Sequence, residues 1–388
     1  NSATGEWLPA AGNLVVRCDS STALNPGDRA VVRGKIYPFT ARHGGYGRLM
    51  TRRGYVGTLY LNRSSLLLSD TLHRELSPKH LSLFLHERAV ARLDRLALAP
   101  DEQALCNAMT AGDRRSLSPA LRAAYSRSGT SHLLAVSGLH VGIVFLLANL
   151  LLWWLPLFRH GHILRNIAVI LLIWLYAATT GFPPSVVRAA LMFSVLQFAL
   201  ASSSEYVGMN TLAGVAFVML LFHPDYLFDI SFQLSFIAVA GIIAWGLPLC
   251  RLLRTRRKSI DMLTATLAIG FSASAATAPL ISHTFGQISV VGLALNPVVI
   301  LLSYVVVGSC TLWLVIPGTV LAPLFSDVAG FAARAQNELI RAAAALPAAA
   351  LDIRLTTTQC WIVYGLFIFA TLLLWSAERK KSVSSLPE

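Results

Sequence analysis

Eight long apolar runs occupy the chain beyond its first third, at about 132–157, 163–180, 186–203, 207–223, 230–250, 262–282, 288–316 and 359–377. Each is near the length at which a helix rising about 1.5 Å per residue crosses a hydrocarbon core about 30 Å thick. The pattern therefore predicts a polytopic bundle of membrane-spanning helices over 131–388. Ahead of it the period shortens. Residues 1–75 read as short strands, NLVVRC from Asn13, DRAVVRGKIY from Asp28, GYVGTLYL from Gly54 and SSLLLS from Ser64, parted by Asn25-Pro26-Gly27 and Gly44-Gly45. About five strands in so short a space suggest a small β-barrel. Residues 76–130 read as an amphipathic helical linker. Ser77-Pro78 supplies a cap and a first-turn proline for a helix running to about Leu98, on which Leu81, Phe84, Leu85 and Leu96 are apolar. Arg88, Arg92 and Arg95 share one face of it, as a helix lying on anionic lipid would. Two shorter helices, Asp101–Ala111 and Ser118-Pro119–Arg127, then lead to the membrane.

Composition agrees with this division. Of 388 residues, 55% are hydrophobic and only 13% charged, too apolar a balance for an ordinary soluble domain. Lys and Arg outnumber Asp and Glu by 32 to 19, a net +13, which suits lipid headgroups and a polyanionic substrate equally well. Five cysteines without a CxxC give no metal or redox motif; Cys18 and Cys106 can pair only if the N-terminal third lies outside the cytosol. The chain starts at Asn1 with no basic, apolar, cleavable leader, so no signal peptide is expected. Arg159 and Arg165 flank one short loop, and Arg251, Arg254, Arg256, Arg257 and Lys258 fill another; counting spans puts both on one side, which the positive-inside rule makes cytoplasmic. The barrel is then extracytoplasmic. The terminal AERKK from Ala377 also favours the cytosol, yet eight full spans leave it outside. Either Ile288–Pro317, interrupted at Asn296-Pro297, is partly re-entrant, or Ala322–Leu346 enters the membrane.

Candidate chemistry lies in two places. In the barrel, arginines and lysine interleave with aromatics, and Arg33, Lys35, Tyr37, Arg48, Arg52, Arg53 and Tyr55 form a candidate single-strand surface on which bases stack while cations follow phosphates. The same aromatics would equally serve a barrel core, and the same cations lipid headgroups. In the membrane domain four apolar runs carry polar patches: HLLAVSGLH at His132–His140, GFPPSVVRAALM at Gly181–Met192, FDISFQLSF at Phe228–Phe236 and APLISHTFGQISVVGLALNP at Ala278–Pro297. An unpaired polar group in hydrocarbon costs roughly 2–7 kcal/mol, so such residues face other helices or a hydrated path. Gly138 permits close helix approach, and Ser137 with His140 share a face. The prolines at 183 and 184 start a helix whose first turns carry Ser185 and Arg188, an anion site or a snorkelling arginine. Asp229 with Gln233, four apart, either line a path or pin neighbouring helices.

In this order the four patches, together with Gly112-Asp113-Arg114, resemble the competence domain of the ComEC family of bacterial DNA-uptake channels, and the small barrel looks like that family's extracytoplasmic OB-fold. The resemblance implies an α-helical polytopic inner-membrane protein with an OB-like N-terminal domain, conducting single-stranded DNA to the cytoplasm. It implies a path past His132, Ser137, Gly138, His140, Ser185, Arg188, Asp229, Gln233, His283 and Asn296. Membrane lipids and a DNA receptor outside are the partners expected, and energy is expected from a partner, such as an ATP-driven motor inside, or from a gradient. Two departures stand out: spans ahead of the barrel and a metallo-β-lactamase-like domain after the channel, common in the family, do not occur in this sequence. The sole HxH, His160-Gly-His162, has no acid following it, and there is no GxxxxGK[ST] phosphate loop. No cofactor, metal or enzymatic activity is therefore expected. The alternatives are a secondary transporter of a small anion, with Arg188 at its midplane site, and a scaffold without transport.

Overall fold

The computed structural model describes residues 12–18, 29–39, 47, 50–51, 54–62, 66–70, 78–202, 208–255, 257–289, 291–316, 321–346 and 350–384. The chain divides between Phe84 and Leu85 into two compact units.

The first unit holds β1 (Asn13–Cys18), β2 (Arg29–Val32), β3 (Ile36–Pro38), β4 (Tyr55–Leu61) and β5 (Leu66–Asp70). The predicted run from Asp28 is split in two at Arg33-Gly34-Lys35. β4 is central to a sheet ordered β1-β4-β3, parallel to β1 and antiparallel to β3, whereas β2 and β5 pair separately. Among the described residues these sheets do not close into the expected barrel. Two features work against closure: β3 is only three residues long and ends on Pro38, which has no N–H to extend the ladder, and register shifts interrupt β1 and β2. β4 alternates cleanly, with Gly57, Leu59 and Leu61 buried and Val56 and Tyr60 exposed. Gly57 is needed there, because an added Cβ would lie 2.5 Å from the Tyr37 carbonyl oxygen.

The second unit is helical, and its first helix runs across the division from Pro78. Its elements are α1 (Pro78–Leu93), α2 (Pro100–Thr110), α3 (Pro119–Arg127), α4 (Gly138–Leu151), α5 (Gly161–Thr179), α6 (Pro184–Ser202), α7 (Gly208–Phe222), α8 (Ile230–Gly241), α9 (Leu247–Leu252), α10 (Lys258–Phe285), α11 (Val291–Val315), α12 (Ala322–Ala344) and α13 (Thr357–Ser384). A single π-helical turn, Ile242–Gly246, joins α8 to α9, and a two-stranded pairing of Ile288–Ser289 with Ala350–Leu351 ties the chain after α10 to the chain before α13. Five helical stretches are long and apolar enough to cross a membrane: Gly138–Leu157, Gly161–Thr179, Ile230–Leu252, Ile260–Phe285 and Ala294–Val315. Pro184–Ala199, Gly208–Phe222 and Thr357–Leu372 are shorter apolar helices. All eight fall on the predicted runs. Large apolar side chains such as Leu171 (63% exposed), Leu301 (65%) and Phe217 (68%) point away from the protein core, as lipid-facing residues do. The chain is a multi-pass membrane protein.

Two apolar clusters meet on α4. Ile143 joins α1, α2, α3, α11 and α12 in one, while Val141, Val144 and Ala148 join α5 and α6 in the other. Thus α2 and α3 are part of the helical core. Ser118 caps α3 by accepting from the Leu121 N–H at 3.2 Å. Cys18 and Cys106 are both free; Cys106 is fully buried beside Cys310 of α11, and that contact together with burial pushes its thiol pKa well up. Of the basic face predicted on one helix, Arg88 is exposed and Arg92 half-buried on α1, whereas Arg95 is exposed on the 3-10 turn Asp94–Leu96 that follows it, so the helix ends short of the predicted Leu98.

Candidate functional site

Three turns converge at one end of α4. The first is Gly112-Asp113-Arg114, at the end of α2. Gly112 takes a left-handed φ of +83°, and its N–H donates to the Ala108 carbonyl, a glycine helix stop. A Cβ there would lie 3.2 Å from Val136. Asp113 is buried and gripped by Arg115, whose Nε and Nη2 donate to its two oxygens at 2.9 Å each. That fork holds the Asp113 carboxyl below the usual carboxylate range.

The second turn is the start of α4. Ser137 is extended, and its N–H donates to His140 Nδ1 at 3.0 Å, with Ser137 Oγ 2.9 Å from the same nitrogen. A backbone N–H can only donate, so Nδ1 is the acceptor and the ring proton sits on Nε2. This is a capping box with histidine in the place usually held by Glu or Gln. His140 is completely buried, and Nε2 has no hydrogen-bond partner among the described residues.

The third turn is the start of α6. Gly181 and Phe182 both take positive φ, +83° and +53°; the non-glycine Phe182 holds a strained conformation of the kind found at functional turns. Pro183 and Pro184 then start the helix, and Ser185 Oγ donates to the Val136 carbonyl at 2.9 Å, fastening α6 to the residue before Ser137. One turn on, Arg188 is only 6% exposed, so it does not snorkel to an interface. Its Nη2 lies 3.3 Å from where a Gly138 Cβ would be, its guanidinium sits over the Phe236 ring at 5.7 Å, and its Nε has no partner. No carboxylate among the described residues pairs with it.

The structure thus brings together Ser137, Gly138, His140, Ser185 and Arg188. His132 is exposed on the short turn before α4 and within electrostatic range of His140. Asp229 and Gln233 do local work: Asp229 Oδ1 caps α8 by accepting from the Ser231 N–H at 2.8 Å, and Gln233 Nε2 donates to the Leu227 carbonyl at 2.8 Å. His283 sits in the last turn of α10, its Nδ1–H donating to the Leu355 carbonyl at 2.9 Å. Asn296 is half-buried with an unpartnered Oδ1. No described hydrogen bond or ring contact joins either to the cluster. Phe236 escaped the sequence reading because an aromatic in an apolar run has no contrast with its neighbours.

On the N-terminal sheet, Arg33, Lys35 and Tyr37 are exposed and Tyr55 is half-buried, whereas Arg48, Arg52 and Arg53 lie outside the described residues. Tyr37 pairs in register with Thr58 and Arg17 with Tyr60, so Tyr37, Tyr60 and Arg17 share a face. The two tyrosine rings meet edge-on at 5.8 Å, with Lys35 Nζ 5.9 Å from the Tyr37 ring and the Arg17 guanidinium 5.8 Å from that of Tyr60. Arg17 lies before the basic stretch that drew attention in the sequence, and only strand pairing brings it to Tyr60. Among the described residues no group of three or more His, Cys, Asp or Glu is placed to hold a metal ion.

The profile of the family described as competence protein matches residues 109–380. ComE operon protein 3 of Bacillus subtilis (strain 168) is 32% identical over 204 residues, covering 51% of this chain and 24% of that relative. An uncharacterized protein of Aquifex aeolicus (strain VF5) is 29% identical over 201 residues, covering 51% of this chain and 45% of its own length. The chain therefore spans less than half the length of these curated relatives. No solved structure matches.

Proposed function

Since the chain belongs to the competence protein family, we propose that it is a DNA-uptake channel subunit of a bacterial inner membrane, passing single-stranded DNA into the cytoplasm. The N-terminal sheet receives the strand outside, and the turns around α4 and α6 form the entry to the path. The observation that carries the single-stranded part is the exposed pair Tyr37 and Tyr60, flanked by Lys35 and Arg17. Bases of a single strand offer π-faces that duplex DNA keeps stacked, and the two cations stand where phosphates would pass. The chain acts as a conduit and not as a hydrolase: His140 Nδ1 is engaged in a helix cap, and no described acid orients its ring. A receptor outside and an ATP-driven motor inside complete the reading.

Purified full chain should bind labelled single-stranded oligonucleotide without sequence preference, with log affinity falling against log salt by about 0.7 per phosphate contacted. Replacing Tyr37 and Tyr60 together by alanine should weaken binding by roughly 1–3 kcal/mol per stacked base while leaving the salt slope unchanged. Replacing Arg17 and Lys35 should flatten the slope instead. Fluorescence anisotropy over a salt series reads both effects, and no binding at low salt removes the receiving role.

Orientation has a native probe. Cys18 is exposed on β1, so a membrane-impermeant thiol reagent added to intact cells should label it. A cysteine placed at Thr255, in the basic loop between α9 and α10, should stay unlabelled. The opposite pattern would reverse the direction of transport.

A further inference from the structure

The first turn of α4 and the Arg188 guanidinium lie close together, and no carboxylate among the described residues pairs with the arginine. The N–H groups of Gly138 and Leu139, as first-turn donors, have no acceptor within the helix, and the helix N-terminus carries a partial positive charge. Arg188 Nη2 reaches this turn, 3.3 Å from the position of a Gly138 Cβ, while its Nε, buried in a side chain only 6% exposed, has no partner. A buried guanidinium without a carboxylate partner next to a helix N-terminus is costly by itself, and an anion that accepts from both removes the cost on both sides.

We propose that Arg188, with the N–H groups of Gly138 and Leu139, forms a binding site for one phosphodiester group. The ligand chemistry follows from the donors. A planar guanidinium fork and backbone N–H groups are donors suited to the two unesterified oxygens of a phosphate diester, whose single negative charge balances the single guanidinium. Phe236 sits against the guanidinium and fixes its plane. Ser137, Gly138 and Ser185 are half-buried, so the rim is more open than the arginine behind it. Ser185, held to the Val136 carbonyl, keeps α6 at the correct distance from α4 and acts as a positioning residue. The choice of a diester over free phosphate rests on the DNA-uptake reading; the anion site itself does not.

The test uses full chain in lipid nanodiscs with dimethyl phosphate as the diester probe and inorganic phosphate as its competitor, following thermal unfolding and direct titration. Dimethyl phosphate should raise the unfolding temperature of the wild type. Arg188→Gln should lower the affinity roughly ten- to hundred-fold, and Arg188→Lys by less, since a point charge lacks the fork. Without ligand, Arg188→Gln should be at least as stable as the wild type, because it removes an uncompensated buried charge. That result keeps loss of binding distinct from loss of fold. Equal stabilisation of wild type and Arg188→Gln by either anion, or a marked loss of stability in Arg188→Gln without ligand, overturns the site. Tighter binding of inorganic phosphate than of the diester overturns the ligand assignment and favours an anion transporter. Diester binding that persists in a chain that takes up no DNA would defeat the channel reading and leave the site standing.

Discussion

Gly138→Leu should abolish DNA uptake, with Gly138→Ala retaining a substantial part of it. The alanine Cβ meets Arg188 Nη2 at 3.3 Å and Ala189 Cβ at 3.6 Å, and the nearer of these is the far end of a flexible side chain that can give way. Leucine adds three further carbons where α4 and α6 approach one another, and α6 cannot retreat while Ser185 holds Val136. Overpacking of this kind costs about 1–3 kcal/mol, and the added bulk also covers the donors of the first turn. His140→Asn should be milder than either His140→Ala or Gly138→Leu, since an amide oxygen can accept from the Ser137 N–H in place of Nδ1. His140→Ala leaves that donor without its acceptor, at a cost of about 1 kcal/mol for a lost cap. Transformation frequency in cells carrying only this chain, read beside its level in isolated membranes, separates blockage from misfolding. Normal uptake by Gly138→Leu at wild-type abundance would mean that the close approach at Gly138 is packing alone.

The residues of this cluster differ in how far the sequence revealed them, and the difference has a physical cause. Ser137, Gly138, Ser185 and Arg188 contrast with the hydrocarbon around them, and polar contrast is visible in one dimension. Phe236 is apolar among apolar neighbours, so its place under Arg188 depends on how α8 meets α6, a long-range contact. Asp229 shows the converse. Its polarity suggested a path, yet an Asp directly before an apolar run is also the N-cap signature, and the structure uses it so. Helix starts marked by proline, at Pro78, Pro119 and Pro184, were legible because proline acts on local backbone alone. Strand positions were legible from the two-residue alternation, but strand partners were not. The parallel pairing of β1 with β4 joins segments some forty residues apart, and neither strand carries a local mark of it. That step is where the described sheets depart from a closed barrel, and Arg17 was missed for the same reason.

The helix that the sequence left unplaced, α12, gives the second large effect. Its polar residues face inward. Gln336 is fully buried and Asn337 only 2% exposed, and the Tyr125 hydroxyl of α3 donates to Asn337 Oδ1 at 3.1 Å while Asn337 Nδ2 donates to the Asp101 carbonyl at 3.2 Å. Gln336 Nε2 in turn donates to the Tyr125 oxygen at 3.3 Å. Asn337→Ala removes the acceptor of a completely buried hydroxyl and the donor to a helix-start carbonyl, and it leaves a void among α2, α3 and α12. An unsatisfied buried group costs about 1–3 kcal/mol, and the void adds to that, so a loss of about 2–4 kcal/mol is expected. Arg341→Ala, which breaks only the ion pair with Asp101 at the exposed edge of the same contact, should cost about 1 kcal/mol or less. The double variant Tyr125→Phe with Asn337→Ala should cost less than the sum of its two single changes, because the hydroxyl that Asn337→Ala strands is then absent, while Gln336 Nε2 loses its Tyr125 acceptor in Tyr125→Phe already. A double-mutant cycle on thermal unfolding, with limited proteolysis around 317–346 as the local readout, measures the coupling directly. Simple additivity of the two single changes would show that Tyr125 and Asn337 do not act together, and that the apolar face of α12, through Ala329, Ala332, Ala333 and Ile340, is sufficient to hold it on the core.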